Sequence, residues 1–158
     1  GEGFKVAMSV LDRGRLHISA VCTGVAERLI HEMTNYAVER KQFGQPIANH
    51  QLVQAMMADS YAEAYAARCM ALDAAKRRDA GENVTLLAAS CKLFASEMVG
   101  RVADRAVQVF GGAGYVSDYG IERFYRDVRI FRIYEGTSQI QQMVIGRGLA
   151  KLAKDGLI

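Results

Sequence analysis

Apolar residues recur every three or four positions through most of the chain, which is the period of an amphipathic α-helix. The first periodic segment runs from about Arg15 to Gln42, and a second, rich in alanine and methionine, runs from about Gln51 to Asp79. Each segment predicts a long helix, and the first would be about 40 Å long at 1.5 Å per residue. The apolar positions of the first segment are Ile18, Val21, Cys22, Val25, Leu29, Met33 and Tyr36.

Turn-forming residues separate the helical segments. Gly44 and Pro46 interrupt the chain after the first helix, and Asn49 is placed to cap the second. Gly81 ends the second helix, and the stretch Asn83–Thr85 can cap a third, which contains "LLAASCKLFASEMVGRVADRAVQVF". Short connections therefore join three long predicted helices.

The C-terminal third begins with "GGAGYVSDYG", whose glycines predict a sharp turn. A shorter helix is predicted from about Ile121 to Arg129, and a last one from about Ser138 to Lys151. The strict alternation typical of strands is almost absent. The predicted fold class is all-α, an up-and-down four-helix bundle with long antiparallel helices that the C-terminal helix closes.

The composition is that of one ordinary globular domain. The chain has 158 residues, of which 51% are hydrophobic and 23% are charged. The net charge of +3 is small, and the cations are scattered among acids, which gives little support for nucleic-acid binding. No apolar run approaches the roughly 20 residues of a membrane span. The start, "GEGFKVAMSV", has no secretory-signal pattern and no initiator methionine, so we expect a fragment cut from a longer protein.

The cysteines and histidines do not form a recognisable metal or redox motif. Cys22, Cys69 and Cys91 are dispersed with no CxxC pair, so we expect reduced thiols in an intracellular protein. All three are expected to be buried small hydrophobic residues rather than reactive thiols. His31 follows Glu27 at i+4, no second such pair exists, and no HExxH motif is present, so a metal site is not expected.

Two short segments carry the candidate chemistry. The glycines of "FGGAGYV" serve either as turn formers or as a place where backbone approaches a ligand, because the segment lacks P-loop and Rossmann spacing. In "FRIYEGTSQIQQMVIG", a lone carboxylate, Glu135, stands between Tyr134 and Gly136, where a new helix begins. On local sequence it is either a functional acid or an ordinary acid at a helix N-terminus.

Four segments together resemble the C-terminal helical domain of the flavin-dependent acyl-CoA dehydrogenases, most of all the short- and medium-chain, butyryl-CoA-type enzymes. The resemblance covers essentially residues 1–158, in the family's order and separations. It implies that an N-terminal helical domain and a central β-domain are absent, and that the fragment alone is inactive. The segments are "LDRGR" (Leu11–Arg15), "ERKQFG" (Glu39–Gly44), "QVFGGAGYV" (Gln108–Val116) and "IYEGTSQIQ" (Ile133–Gln141).

The resemblance implies FAD-dependent oxidation of an acyl-CoA to the trans-2-enoyl-CoA, with Glu135 as the base that removes the α-proton while hydride passes to flavin N5. Desolvation should strengthen this base. The backbone N–H of Glu135 and a flavin ribityl hydroxyl should stabilise the developing enolate-like charge. Gly136 is expected to leave room for substrate. Some branches of the family carry the base at the position of Gly14, which cannot serve here.

Other positions match cofactor and substrate contacts of the family. Arg40 corresponds to an arginine that meets the FAD pyrophosphate across a subunit interface, although it could also be a surface charge at a helix C-terminus. Thr137 could be an N-cap, and Asp12 could cap the first helix. The implied FAD contacts are Arg40, Gln42, Phe43, Gln51, Gln108, Gly111, Gly112, Thr137 and Gln139. The implied substrate contacts are Asp12, Arg15, Tyr134 and Gly136.

The resemblance also implies partners. They are an acyl-CoA substrate, an electron-transfer flavoprotein as acceptor, and further copies of the chain in a dimer or tetramer built through the bundle. The implied location is the bacterial cytoplasm or the mitochondrial matrix. Two alternatives remain open: a non-catalytic helical oligomerisation module, and a dehydrogenase for branched-chain or other short acyl-CoAs.

Overall fold

The computed structural model describes residues 2–157 of the chain, and for residues 4–9 it describes the backbone alone. The described part consists of long helices, short helical turns and one small hairpin. The elements, in chain order, are α1 (Gly3–Glu39), β1 (Lys41–Gln42), β2 (Gln45–Pro46), a 3₁₀ turn (Ile47–Asn49), α2 (Gln51–Asp79), α3 (Thr85–Phe110), α4 (Gly112–Tyr115), α5 (Ile121–Asp127), a second 3₁₀ turn (Val128–Arg132) and α6 (Ser138–Lys154).

The predicted all-α bundle is confirmed. Helix α3 packs against α1, α2 and α6, and α1 also packs against α2, so that α3 lies at the centre of the fold. Small buried residues such as Ala95, Ala103 and Ala106 on α3 let the helices approach closely. Larger side chains, among them Leu29 of α1 and Met98 of α3, fill the space between them, and each contributes about 2–3 kcal/mol by burial.

Helix α1 is longer than its apolar periodicity predicts. It begins at Gly3 rather than at about Arg15, and it ends at Glu39 rather than at Gln42. The stretch before Arg15 contains no proline, and extending an existing helix costs far less than starting one. Asp12 therefore lies inside α1, and the prediction that it could cap this helix is wrong.

The other helix boundaries follow the sequence more closely. Helix α2 spans Gln51–Asp79 as predicted, but its N-cap is His50, so the expected cap by Asn49 is wrong. The N–H of Thr85 donates to Asn83 Oδ1 at 3.1 Å, beside the start of α3. Helix α5 ends at Asp127 and passes into a 3₁₀ turn, and α6 continues to Lys154.

The corner between α1 and α2 contains a hairpin that the sequence analysis did not predict. Lys41 pairs with Pro46 and Gln42 with Gln45 in antiparallel register. The two residues of the turn, Phe43 and Gly44, both have positive φ, 52° and 78°. Two consecutive left-handed residues match the twist of a two-residue hairpin loop. The turn projects the Phe43 side chain outward, with 93% of its surface exposed.

The C-terminal end of α3 lies beside the C-terminal end of α1. The rings of Tyr36 and Phe110 stack with centroids 4.0 Å apart, and Tyr119 meets both rings edge-on. A Cβ at Gly114 would lie 2.7 Å from Phe110 Cβ and 2.8 Å from the Val107 carbonyl oxygen. Only glycine therefore allows α4 to fold back onto α3 at this point.

The thiols differ from one another in exposure. Cys22 and Cys91 are buried, as expected, and burial raises their pKa to about 12 and about 11. Cys69 is exposed, so the expectation that it is buried is wrong. Among the described residues, no group of three or more histidines, cysteines or acids is placed to bind a metal ion. None of the helices in this part of the chain is long and apolar enough to cross a membrane.

Candidate active site

Glu135 lies in a tight turn that joins the second 3₁₀ turn to α6. Its φ is +54°, and the φ of Gly136 is +88°. A left-handed conformation costs a residue other than glycine about 1–3 kcal/mol, so its surroundings must impose it. Thr137 then caps α6, since its Oγ1 accepts a hydrogen bond from Ile140 N at 3.3 Å. Thr137 thus has the N-cap role that the sequence left open.

Two buried side chains anchor the backbone of this turn. Lys92 Nζ donates to the carbonyl oxygen of Gly136 at 2.7 Å. Gln141 Nε2 donates to the carbonyl oxygens of Glu135, at 3.1 Å, and Gly136, at 3.0 Å. Lys92 and Gln141 are both fully buried. Both peptide groups that follow the Glu135 Cα are therefore fixed from inside the bundle.

A third side chain, that of Glu97 on α3, contacts the segments on both sides of the turn. Its Oε1 accepts a hydrogen bond from Ser138 Oγ at 2.7 Å, and its Oε2 lies 3.2 Å from Arg132 Nε. A Cβ at Gly100 would collide with the Arg132 guanidinium, so this glycine provides the space in which the arginine lies against α3. The turn that contains Glu135 is thus attached to α3 through Arg132 before it and through Gly136 and Ser138 after it.

The Glu135 carboxylate rests on α1 at Gly14. A Cβ at Gly14 would overlap Oε2 of Glu135 and would lie 3.0 Å from its Cδ. Gly14, where the resemblance places the base of some family branches, is therefore in contact with the Glu135 side chain here. Glu135 is exposed in this chain, so the expected desolvation would have to come from groups outside the described residues. Among the described residues, no group accepts a hydrogen bond from the Glu135 backbone N–H.

Gly136 and Tyr134 flank the carboxylate. A Cβ at Gly136 would lie 2.6 Å from Gln141 Nε2, so the missing side chain makes room for that amide, in addition to allowing the positive φ. The Tyr134 side chain is partly exposed and stacks on Phe131 with centroids 5.8 Å apart. Burial raises the pKa of the Tyr134 phenol, and the neighbouring Cys22 and the Glu135 charge raise it further.

The predicted substrate contacts Asp12 and Arg15 form an internal network. Arg15 is only 3% exposed, and its Nη1 lies 2.8 Å from Asp12 Oδ1. Asp12 Oδ2 accepts a hydrogen bond from Thr85 Oγ1 at 2.6 Å. The Arg15 guanidinium is therefore engaged inside the bundle, and Asp12 is the more accessible member of the pair.

Lys92 lies near the charged side chains of Arg15, Glu97 and Glu135. Burial lowers the pKa of the Lys92 ammonium, and the positive charge of Arg15 lowers it further. The carboxylates of Glu97 and Glu135 oppose this shift. Cys22 would also oppose it, but only once its own thiol ionises, at about pH 12.

The other predicted cofactor contacts lie at the opposite end of α1. Arg40, Gln42, Phe43 and Gln51 are exposed around the hairpin corner. His50, at the start of α2, contacts the hairpin. Its Nε2 lies 3.3 Å from the Gln42 carbonyl oxygen, and its ring packs edge-on against the Phe43 ring with centroids 5.8 Å apart. The glycine loop lies at the same end of the bundle, with exposed contacts at Gln108, Gly111 and Gly112.

The predicted contacts thus form two clusters rather than one. Gly14, which touches Glu135, is 26 positions before Arg40, and a helix of that length extends about 39 Å. Thr137 and exposed Gln139 belong to the Glu135 cluster, while the hairpin corner and the glycine loop form the second. The distance of about 39 Å between the two clusters is greater than the length of one flavin adenine dinucleotide molecule.

The side chains that hold the Glu135 turn were not predicted from the sequence: they are Lys92, Glu97, Arg132 and Gln141. The available signal was Lys92 itself, the one cation within the apolar run "LLAASCKLFAS". Such a lysine is either a snorkelling surface residue or a buried donor. The pattern alone does not distinguish these, because the acceptor lies 44 positions further along the chain.

Residues 1–150 match the protein family described as acyl-CoA dehydrogenase, C-terminal domain. The chain is 45% identical to the caffeyl-CoA reductase–Etf complex subunit CarC of Acetobacterium woodii and 46% identical to the probable acyl-CoA dehydrogenase YngJ of Bacillus subtilis. Each alignment extends over 150 residues and covers 95% of this chain and 40% of the relative. The structure of butyryl-CoA dehydrogenase from Megasphaera elsdenii is similar with a TM-score of 0.93 at 40% identity, covering 95% of this chain and 39% of that one. The chain thus spans about two-fifths of the length of these relatives.

Proposed function

The chain belongs to the acyl-CoA dehydrogenase family, and we propose that it is the C-terminal helical domain of a longer enzyme that oxidises an acyl-CoA to the trans-2-enoyl-CoA. The supporting observation is the turn at Glu135. The buried or partly buried side chains of Lys92, Glu97 and Gln141 hold this turn, so that the Glu135 backbone is left-handed and its carboxylate is exposed. Residues held in strained backbone conformations by their surroundings cluster at functional sites. The remaining two domains would come from sequence outside residues 1–158.

In the proposed reaction the Glu135 carboxylate removes a proton from the carbon next to the thioester. The thioester oxygen then gains negative charge, and the backbone N–H of Glu135, which no described residue engages, would donate to it. FAD, when bound, supplies the acceptor for the hydride that leaves the β-carbon. The two hydrogens leave as one proton and one hydride, so the electrons balance.

The second cluster suits the cofactor of another copy of the chain. The exposed Arg40 guanidinium fits paired pyrophosphate oxygens, and the exposed Phe43 ring offers a flat surface to an aromatic group. The exposed glycines Gly111 and Gly112 permit close approach of a ligand to backbone. Since about 39 Å of helix separates this cluster from Glu135, we infer that the enzyme is a homo-oligomer in which each flavin is contacted by two chains.

The proposed substrate contacts lie at Asp12 and beside Glu135. Asp12 would contact the CoA moiety, and the buried Arg15 would orient Asp12 through their ion pair. Tyr134, beside Glu135, would line the acyl pocket together with Gly136. Pocket depth also depends on domains outside this chain, so a butyryl-type, another short and a branched acyl-CoA are all compatible with the residues here.

A second candidate is the reverse reaction, reduction of an enoyl-CoA. The relative CarC is a subunit of a caffeyl-CoA reductase–Etf complex, which supports both this direction and an electron-transfer flavoprotein as partner. The same geometry would then have Glu135 deliver the α-proton. The rival reading of a non-catalytic helical module is disfavoured because Glu135 and the matched flavin-contact positions are retained.

The test is an anaerobic titration of the full-length flavoprotein with acyl-CoAs of graded chain length, followed by bleaching of the flavin absorbance. We expect bleaching that is greatest at one chain length, and a rate at least about 10²-fold lower in Glu135→Gln, because the base is lost. In the reverse arm, chemically reduced enzyme is mixed with enoyl-CoAs. Since the same site catalyses both directions, a reductase is favoured only if an enoyl-CoA reoxidises the reduced flavin much more completely than any acyl-CoA bleaches the oxidised flavin. If the protein binds flavin and no thioester changes its redox state, the proposed function is wrong.

A further inference from the structure

Lys92 is a fully buried lysine whose position the proposed reaction does not explain. Burying an amine is costly, and chains accept this cost where the group makes a defined interaction. Its neighbours are the polar groups that face it from every packed element: Arg15 and Cys22 on α1, Glu97 on α3, and Glu135 in the turn. Its hydrogen bond, however, goes to none of these side chains.

The acceptor is the carbonyl oxygen of Gly136, the residue directly after Glu135. The same oxygen also accepts the Gln141 amide at 3.0 Å, so one carbonyl receives donors from two helices, α3 and α6. This carbonyl belongs to the second peptide group after the Glu135 Cα. Gln141 alone fixes the first peptide group, through the Glu135 carbonyl at 3.1 Å.

Both contacts are needed to define the direction of the Glu135 side chain. A residue held at a φ of +54° returns to a more common conformation if its flanking peptide groups can rotate. Such a rotation would move the carboxylate away from Gly14, the point on α1 that it now touches. An amine donates to a carbonyl whether or not it is protonated, so this hold does not depend on the charge state of Lys92.

We propose that Lys92 is a positioning residue for the base, which keeps the Glu135 carboxylate in its reactive direction by anchoring the Gly136 carbonyl. The proposal rests on the proposed function of Glu135. It differs from a general stabilising role because it acts on one turn. Loss of the anchor should therefore affect proton removal far more than substrate affinity or flavin content.

The test uses Lys92→Met in the full-length flavoprotein, with Met98→Ala as a matched control. Met98 is also fully buried on α3 but is not part of the turn. The substrate is an acyl-CoA analogue with sulfur in place of the β-carbon, which can lose its α-proton but cannot yield hydride. Exchange of that proton with deuterated water is measured by NMR, and affinity is measured by titration.

We expect α-proton exchange to be about 10²-fold slower in Lys92→Met, the cost of a displacement on the order of 1 Å, while the affinity changes less than about threefold. A second readout needs no catalysis: amide hydrogen exchange of the peptide spanning residues 130–141 should become faster. Met98→Ala should show neither effect. Wild-type behaviour of Lys92→Met, or equal effects in the two variants, would overturn the proposal.

Two further comparisons keep the outcomes distinct. If Lys92→Met does not yield folded holoenzyme, Lys92→Arg, a donor of different reach, must show slower proton exchange at unchanged affinity, and equal losses of both would overturn the proposal. Wild type and Glu135→Gln are run in the same assay. If wild type exchanges no α-proton, the proposed function fails, and the amide exchange of the turn still decides whether Lys92 anchors it.

Discussion

At the scale of single residues, two glycines determine where the Glu135 carboxylate can lie. Gly136 permits the positive φ and the close approach of Gln141, and Gly14 provides the surface on which the carboxylate rests. The motif around Glu135 could be predicted from the sequence because its residues are adjacent. Lys92 and Gln141 could not, because their roles depend on which carbonyl faces them in the folded chain.

Gly14→Ala should separate stability from activity. Alanine favours a helix interior over glycine by about 1 kcal/mol, so the free energy of unfolding should not fall, since the flexible Glu135 side chain can swing aside. The displaced carboxylate should lower the rate of flavin reduction by acyl-CoA about 10²-fold in the full-length protein. Urea melts and stopped-flow absorbance measure the two quantities.

Gly24→Ala is the matched control, because Gly24 lies on the same helix and an added Cβ would have no neighbour within 4 Å. Its free energy of unfolding should rise by about 1 kcal/mol, and its rate of flavin reduction should be unchanged. A Gly14→Ala enzyme that reduces its flavin as fast as Gly24→Ala would show that the contact between Glu135 and Gly14 has no part in catalysis.

At the scale of elements, α3 is the platform for both the core and the site. One side of it anchors the Glu135 turn through Lys92 and Glu97, and Glu63 of α2 is tied to it through Arg101 and Arg105, each at 2.8 Å. The periodicity predicted α2 and α3 closely because turn-forming residues, among them Pro46, Gly81 and Gly111, stand beside their ends. The start of α1 was predicted too late, and the hairpin was missed because strands of two residues show no alternation.

Glu63→Gln should weaken the α2–α3 contact in a pH-dependent way. Burial raises the pKa of the Glu63 carboxyl, but hydrogen bonds and charges from Arg105 and Arg101 outweigh it, so the pKa is lowered. A lowered pKa in the folded state stabilises the protein above the pKa of the unfolded state, and this contribution disappears as pH falls through the folded value.

The free energy of unfolding of Glu63→Gln should therefore lie below that of wild type at pH 7, by about 1 kcal/mol or less because the pair is partly solvated. The difference should vanish as the pH falls below the lowered pKa of the Glu63 carboxyl in the folded state. Urea melts of both proteins across this range provide the measurement. Asp59→Asn, whose carboxylate is 66% exposed and 4.0 Å from Arg105, should have a smaller effect. A difference that persists unchanged in acid would contradict the assignment.

At the scale of the whole molecule, the separation of the two clusters supports the proposed homo-oligomer, in which each flavin is contacted by two chains. The bundle itself could be predicted from three long helices with short connections. The separation of Arg40 from Glu135 became clear only once Glu135 was found to rest on Gly14 of α1, the helix that ends beside Arg40, because the sequence distance of 95 positions gives no spatial distance. If the clusters served one flavin in one chain, the helix between them would have to be far shorter.

Subunit complementation tests this arrangement. Full-length chains carrying Arg40→Ala and chains carrying Glu135→Gln are expressed together with two different tags, and mixed oligomers are isolated through both. Each parent variant should be impaired alone, the first in flavin affinity and the second in proton removal.

In a mixed pair, one site combines an intact Glu135 with the other chain's intact Arg40, and the other site carries both changes. The mixed pair should therefore recover about half of the wild-type activity, as two-fold symmetry requires. If Arg40 and Glu135 acted on the same flavin within one chain, every site in the mixture would retain one defect and no recovery would occur. Mixing Glu135→Gln with Lys92→Met is the control, because these residues lie in the same cluster and no mixed site would be intact.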